Sequence, residues 1–426
     1  MINTSKLHKL LEQEVNSGGG TKGFKNKIRS MLGITEQNTF DPDNREIDAK
    51  DVSFGEVAHS FLGRDIEDLG PKMEAARNMR LLEADGGVVL PSSFINISGF
   101  SDVVGGLLDA QILEAYQNPE FIGKSLITVR ETRTNGGKLI SVTNDGQTPD
   151  ALAVGEELPA VGLKEKWVQI PANVRYGQAI QLDQHDILYD RSDKIQSAAA
   201  NVGYAIARKI EQDIADMVLG ISNSFNFMGT TGNTYLVTAG VSPMDYANSS
   251  QNPLSSWTAI NDAVQVLESN VDPQTGFEIS IDHPTVLVMP QQELTARTIL
   301  RATEVISTSN GGAADTNWPL NFRRSENPAT GFDLVRMSRI WYNRLVLASA
   351  SGGGGVSTTN GPKRWHMGNF KRAFQWRQLI PFQTQSCPLS ANEMRRGITL
   401  VHVAQESGVG CVVDPRYVYR GSLESL

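Results

Sequence analysis

The sequence predicts an α+β chain in which a long β-hairpin and a long helix precede an α/β unit and a β-rich tail. Three observations carry this. First, VQIPANVRYGQAIQL (168–182) alternates: Val168, Ile170, Ala172, Val174, Tyr176, Ile180 and Leu182 share one face, broken only by Gln178, the period of a half-buried strand. At roughly 3.3 Å per residue such a strand would reach on the order of 50 Å, longer than a small domain's core. Second, SDKIQSAAANVGYAIARKIEQDIADMVLG repeats Ile195, Ala199, Val202, Ile206, Ile210, Ile214 and Met217 at helical spacing. Third, from Trp257 onward helical and strand patterns alternate.

Taken in order, SKLHKLLEQEV is a short amphipathic helix ending in the flexible NSGGG. FKNKIRSMLG is read as a docking helix with a solvated basic face, and FDPDNREIDAKD as a linker. VSFGEVAHSFLG is a short helix. EADGGVVLPSSF reads as a turn, a short strand and a proline stop. FSDVVGGLLDAQILEAYQ is helical in part, weakened by Gly105 and Gly106. Residues 126–183 form one two-stranded excursion whose tip, QTPDALAVGEELPAVG, is acidic at Asp150, Glu156 and Glu157. The long helix is capped by Ser192 and ended by Gly220.

WTAINDAVQVLESN then reads as a helix, PTVLVMP as a buried strand, QQELTARTILRATE as a helix and RLVLAS as another buried strand. SGGGG at 351–355 is a loop, and FKRAFQWRQLI, GITLVHV and GVGCVVDP are β-rich.

A length of 426 residues allows two or three compact units. No apolar run approaches the roughly 18 residues that span a bilayer, and MINTSKLHKLLEQEV has no signal-peptide core. No membrane partner is expected. The net charge of −8 argues against a broad grip on phosphates.

Cys387 and Cys411 offer neither a disulfide framework nor zinc spacing. His8, His59, His185, His283, His366 and His402 form no ligand motif. There is no Gly-x-Ser-x-Gly elbow and no phosphate-binding loop ending in Gly-Lys-Ser/Thr. IDHP around Asp282 and His283 is a turn before a strand. No catalytic residue, cofactor or metal site is predicted. A hairpin that projects beyond its own domain needs its apolar face covered, and an identical neighbour is the natural cover.

The order of elements resembles the major capsid proteins of tailed bacteriophages, the Hong Kong 97-type fold. The matching pieces are SFGEVAHSFLG with DGGVVLPSSF, then AVGEELPAVGLKEKWVQIPANVRYGQAIQLDQHDILYDR, IQSAAANVGYAIARKIEQDIADMVLG, PTVLVMPQQELTA and GVGCVVDPRYVY. They cover roughly 52–420, and residues 1–50 have no counterpart.

The resemblance implies an N-terminal extension (1–50), an N-terminal arm with its leading segment (51–125) and an extended hairpin loop (126–183). It implies a peripheral domain with a spine helix (184–255) and an axial domain (256–362). The remainder (363–426) supplies return strands to the peripheral domain and a closing axial strand. It further implies identical subunits joined in pentamers and hexamers of an icosahedral head, with portal and scaffolding or decoration proteins as partners. Double-stranded DNA is enclosed without tight specific binding, in a virion assembled in the bacterial cytoplasm.

Inter-subunit contacts are expected at Val168, Ile170, Val174, Tyr176, Glu156, Glu157, Lys164 and Lys166. Some relatives join a loop lysine to a neighbour's asparagine; Lys138, Lys164 and Lys166 lie where such a lysine would be. The alternatives are an encapsulin-type compartment shell and, from another class, an α/β enzyme with a β-rich accessory domain.

Overall fold

The structure, a computed structural model, describes residues 29–34, 40, 41, 43, 45, 91–144, 163–183, 194–222, 225–238, 246–271, 279, 281, 284–302, 305–307, 322–324, 331–350, 363–387 and 398–422. In chain order the elements are α1 (Pro91–Tyr116), α2 (Gly123–Leu126), β1 (Thr128–Glu131), β2 (Gly137–Asn144), β3 (Leu163–Ile170), β4 (Val174–Asp183) and α3 (Lys194–Val218). Then come β5 (Phe225–Phe227), β6 (Thr230–Gly232), β7 (Ser249–Ser250), α4 (Trp257–Glu268), β8 (Thr285–Val288), α5 (Glu293–Arg301), β9 (Val305–Ser307) and β10 (Phe322–Arg324). The last are β11 (Asp333–Arg336), α6 (Arg339–Ala350), β12 (Trp365–Gly368), α7 (Phe370–Ala373), β13 (Phe374–Cys387), β14 (Ile398–Val412) and β15 (Val418–Gly421).

The chain divides into two compact units. Unit 1 holds residues 1–119, 175–209 and 380–407, and unit 2 holds 120–174, 210–379 and 408–426. In unit 1, α1 buries Val104, Leu107, Leu108, Ile112 and Leu113. Its first residue is Pro91, where the missing N–H is not needed and the fixed φ suits a helix start. The sequence expectation of a proline stop followed by a partial helix is therefore corrected. Pro91 opens one continuous helix, and Gly105 and Gly106 lie inside it. A Cβ on Gly203 of α3 would sit 2.1 Å from the Ile112 carbonyl oxygen, so glycine lets the two helix backbones touch.

Unit 2 contains a five-stranded sheet in the order β11-β8-β12-β15-β7. β8 runs parallel to β11 and antiparallel to β12, which pairs antiparallel with β15. α4 and α5 supply Ile260, Ala263, Leu267, Ala296 and Leu300 to the core with Val286, Val288, Trp365, Met367 and Tyr419. The predicted helices at 257 and 293 and the strand at 285 are present.

RLVLAS is not a strand; it lies in α6. Its Leu345 belongs to a helical set with Ile340 and Trp341, all buried, whose i, i+1, i+5 spacing begins before the run that suggested a strand. GITLVHV and GVGCVVDP join in a single 15-residue strand, β14. Gly408 within it lies against Trp376, where a Cβ would be 2.8 Å from the indole nitrogen. Of the short N-terminal helices, only 29–34 and four single positions before residue 91 are described. VSFGEVAHSFLG, Ser192 and the 351–355 glycine loop lie outside the described residues.

Candidate functional site

The overlong strand is two strands. β3 ends at Ile170 and β4 begins at Val174. Pro171 has no N–H to donate to a ladder. Asn173 uses its backbone N–H on Asn135 Oδ1 at 2.8 Å and its side-chain amide on the Thr134 carbonyl at 3.1 Å. These bonds tie the break to the bend that precedes β2. β2 and β3 then pair antiparallel over their full lengths, Gly137 opposite Ile170 and Asn144 opposite Leu163. β3 continues to β5 and β6 in a four-stranded sheet of unit 2.

Alternation gives this sheet two unlike faces. Leu139 stands opposite Val168, and Val168 opposite Phe227. Val168, Ile170, Phe225 and Phe227 are buried. On the other face Ile140 stands opposite Trp167 and is 55% exposed. The Lys138 ammonium lies 4.0 Å from the centre of the Trp167 ring, a cation–π contact. Met228, exposed and with φ of 51°, donates its N–H to the Trp167 carbonyl.

The expected contact residues thus separate. Val168 and Ile170 belong to the chain's own core, which corrects the expectation that their face is open in the isolated subunit. Val174 is 46% exposed and Tyr176 half-buried, whereas Ile180 and Leu182 further along β4 are buried. Lys166 is half-buried on β3. Lys164 pairs by its backbone with Thr143. Glu156 and Glu157 lie outside the described residues.

Several polar residues that hold the chain together carry no motif. In unit 1, Asp109 of α1 lies 2.8 Å from His402 Nε2, and the Ser386 hydroxyl 3.2 Å from His402 Nδ1. Burial alone would raise the Asp109 carboxyl. Together the hydrogen bond and charge of His402, the Thr384 hydrogen bond and the Arg29 charge outweigh it, and the carboxyl lies below the ordinary aspartate value. Two turns on, Tyr116 donates its hydroxyl to the buried Glu406 carboxylate. Burial first, and then the Glu406 charge, push the phenol well above its usual range. The pairs are seven residues apart on α1 and four apart on β14, so both stand on matching faces of helix and strand.

In unit 2, Glu211 of α3 is buried and accepts from the N–H groups of Ile122 and Gly123 and from Trp341 Nε1. Burial raises its carboxyl despite these donors. Arg344 forms a two-pronged pair with Asp216.

Among the described residues no cluster of histidine, cysteine and acidic groups has metal-binding geometry, and no helix is long and apolar enough to cross a membrane. His366 is fully buried, and desolvation followed by the Arg364 and Arg420 charges lowers its imidazole well below the usual value. Cys411 is buried and its thiol is pushed up to about 11. His283 lies outside the described residues.

The family model described as phage capsid protein matches residues 170–421. No curated protein matches. Among solved structures, the chain is similar to the capsid of the cyanophage P-SCSP1u, at 13% identity over 70% of this chain and 86% of that one, with a TM-score of 0.43. The mature capsid of bacteriophage PhiM1 matches at 13% identity over 71% and 87%, with a TM-score of 0.41. A virus-like particle from Pyrococcus furiosus matches at 10% identity over 74% and 97%, with a TM-score of 0.36.

Proposed function

The chain belongs to the phage capsid protein family, and from that premise we propose that it is the major capsid protein of a tailed bacteriophage. In this reading, copies assemble into pentamers and hexamers of an icosahedral head enclosing double-stranded DNA. The observation that carries it is the family match, which spans more than half of the chain. It starts at the end of β3 and runs through β4, α3 and the five-stranded sheet to β15. The role is structural, with no catalytic step. The compartment-shell alternative is not favoured, because the matching family is that of phage capsids.

The Hong Kong 97-type arrangement is the reading of these parts. The hairpin β2–β3 serves as the extended loop, α3 as the spine helix, and the sheet with α4 and α5 as the axial domain. The exposed face of the hairpin sheet, with Ile140 and the Lys138–Trp167 pair, and the open start of β4 at Val174 and Tyr176 are the proposed contacts with neighbouring subunits. Lys164, Lys166, Glu156 and Glu157 extend that proposed contact. Val168 and Ile170 support it from within. Portal and scaffolding or decoration proteins complete the proposed partners, and the head is built in the host cytoplasm. Sedimentation of the purified chain with its scaffolding partner tests the reading. Particles of many copies are expected, and a species that stays monomeric under assembly conditions contradicts it.

A further inference from the structure

The five-stranded sheet of unit 2 carries two unmatched features at opposite ends of its strands. One is an apolar pocket of about 280 Å³ lined by Ile260, Val264, Pro284 and Phe332, with the exposed Asn261 and Glu268 in its wall. Pro284 and Phe332 immediately precede β8 and β11, so the pocket lies where these parallel strands begin. The other is Leu294, 77% exposed, the most open large apolar side chain among the described residues. Its neighbour Glu293 pairs with Arg336, the last residue of β11, which places Leu294 where the same strands end.

The charges around the two features are opposite. α4 carries Asp262 and Glu268 and no basic residue. Near Leu294 the exposed Arg297, Arg301 and Arg336 outnumber the acidic Glu293 among the described residues of α5 and the end of β11. Knob and pocket lie at opposite strand ends of one sheet, so the mate of each belongs to another molecule.

We propose that Leu294 of one copy of this chain seats in the Phe332 pocket of the next, with the arginines of α5 facing the acidic side of α4. The inference rests on the capsid reading and adds the residues by which copies meet. Because knob and pocket are different patches, the contact is head to tail. Repeated with one rotation it closes a ring. Complementary charge selects the orientation, and seating of the leucine removes apolar surface from water.

The test uses full-length chains carrying Leu294→Cys and Asn261→Cys, assembled into particles and treated with a short bis-maleimide. The result expected is a ladder of covalent oligomers ending at the ring size. The two single variants, which retain Cys387 and Cys411, stay monomeric on the denaturing gel. Particles of the double variant that yield only monomer overturn the docking while leaving the capsid reading intact. Failure of the unmodified chain to form any particle removes the capsid reading and this inference with it.

A charge exchange covers the case in which the double cysteine variant does not assemble. Arg301→Glu is expected to lower particle yield about tenfold, since the loss recurs at every subunit. Adding Glu268→Arg is expected to restore it. Absence of rescue by the second change overturns the proposal.

Discussion

Val168→Asp and Val174→Asp should have opposite consequences. Val168 is 7% exposed and stands opposite Phe227, itself 5% exposed. Removing its side chain forfeits about 1.5–3 kcal/mol of burial. The new carboxylate must then be desolvated without a partner or take up a proton, which costs several kcal/mol unless the sheet opens. A net loss of about 3–5 kcal/mol follows, a large share of the 5–15 kcal/mol typical of a folded domain. Val174 is 46% exposed, so its replacement should change subunit stability by no more than about 0.5 kcal/mol. If it lies on a neighbour in the shell, however, each copy would bring a carboxylate into a closed contact. The assay is urea unfolding of unassembled subunits by circular dichroism, beside particle counts by microscopy. Val168→Asp is expected to lower the midpoint markedly, and Val174→Asp to keep the midpoint but lose particles. A Val168→Asp subunit as stable as the parent would refute the inner face. Normal assembly by Val174→Asp would refute the interface at the start of β4.

Trp341→Phe removes one donor from the buried Glu211 carboxylate and raises its already elevated pKa further. A raised folded pKa means stability that is full below the unfolded value and lost as pH rises through the folded one. The variant should therefore lose about 1–3 kcal/mol at pH 8 and less at pH 5, and equal losses at both pH values would count against this role. Asp109 has the opposite sign, because its folded pKa is lowered. Asp109→Asn should flatten the part of acid denaturation in which stability falls as pH drops below the ordinary aspartate value, and an unchanged acid limb would contradict the His402 pairing. Gly203→Ala places a methyl 2.1 Å from the Ile112 carbonyl oxygen. A loss of at least about 1–3 kcal/mol is expected in a thermal melt, and wild-type melting would show that α1 and α3 are not in backbone contact. With a net charge of −8, the isolated subunit should bind duplex DNA only weakly at physiological salt; submicromolar affinity for unrelated duplexes in a fluorescence titration would refute this.

Local periodicity made much of the fold legible. α3, α4, α5 and β8 repeat apolar residues at their own period within a single window, and each is found where that pattern places it. The break in the long strand was also written in the sequence, at Pro171, but alternation continued across it and concealed that β3 and β4 are separate strands. RLVLAS misled because a short apolar run fits a buried strand and a buried helix equally, and Trp341 upstream decides between them.

The polar pairs were not legible at all. Asp109 and His402 are 293 residues apart, and Tyr116 and Glu406 are 290 apart. A single sequence carries no sign that a tyrosine and a glutamate so distant will meet. Nor does it say which face of a hairpin is turned inward. Phe225 and Phe227, on a three-residue strand beyond α3, decide that Val168 is core.

Electron microscopy of the purified chain under assembly conditions is the decisive measurement. Closed hollow particles are expected, with rings built from copies of this chain and the exposed face of the β2–β3 hairpin covered by a neighbour. A field of separate single subunits, or particles in which Ile140 and Trp167 face solvent on every copy, would contradict this expectation.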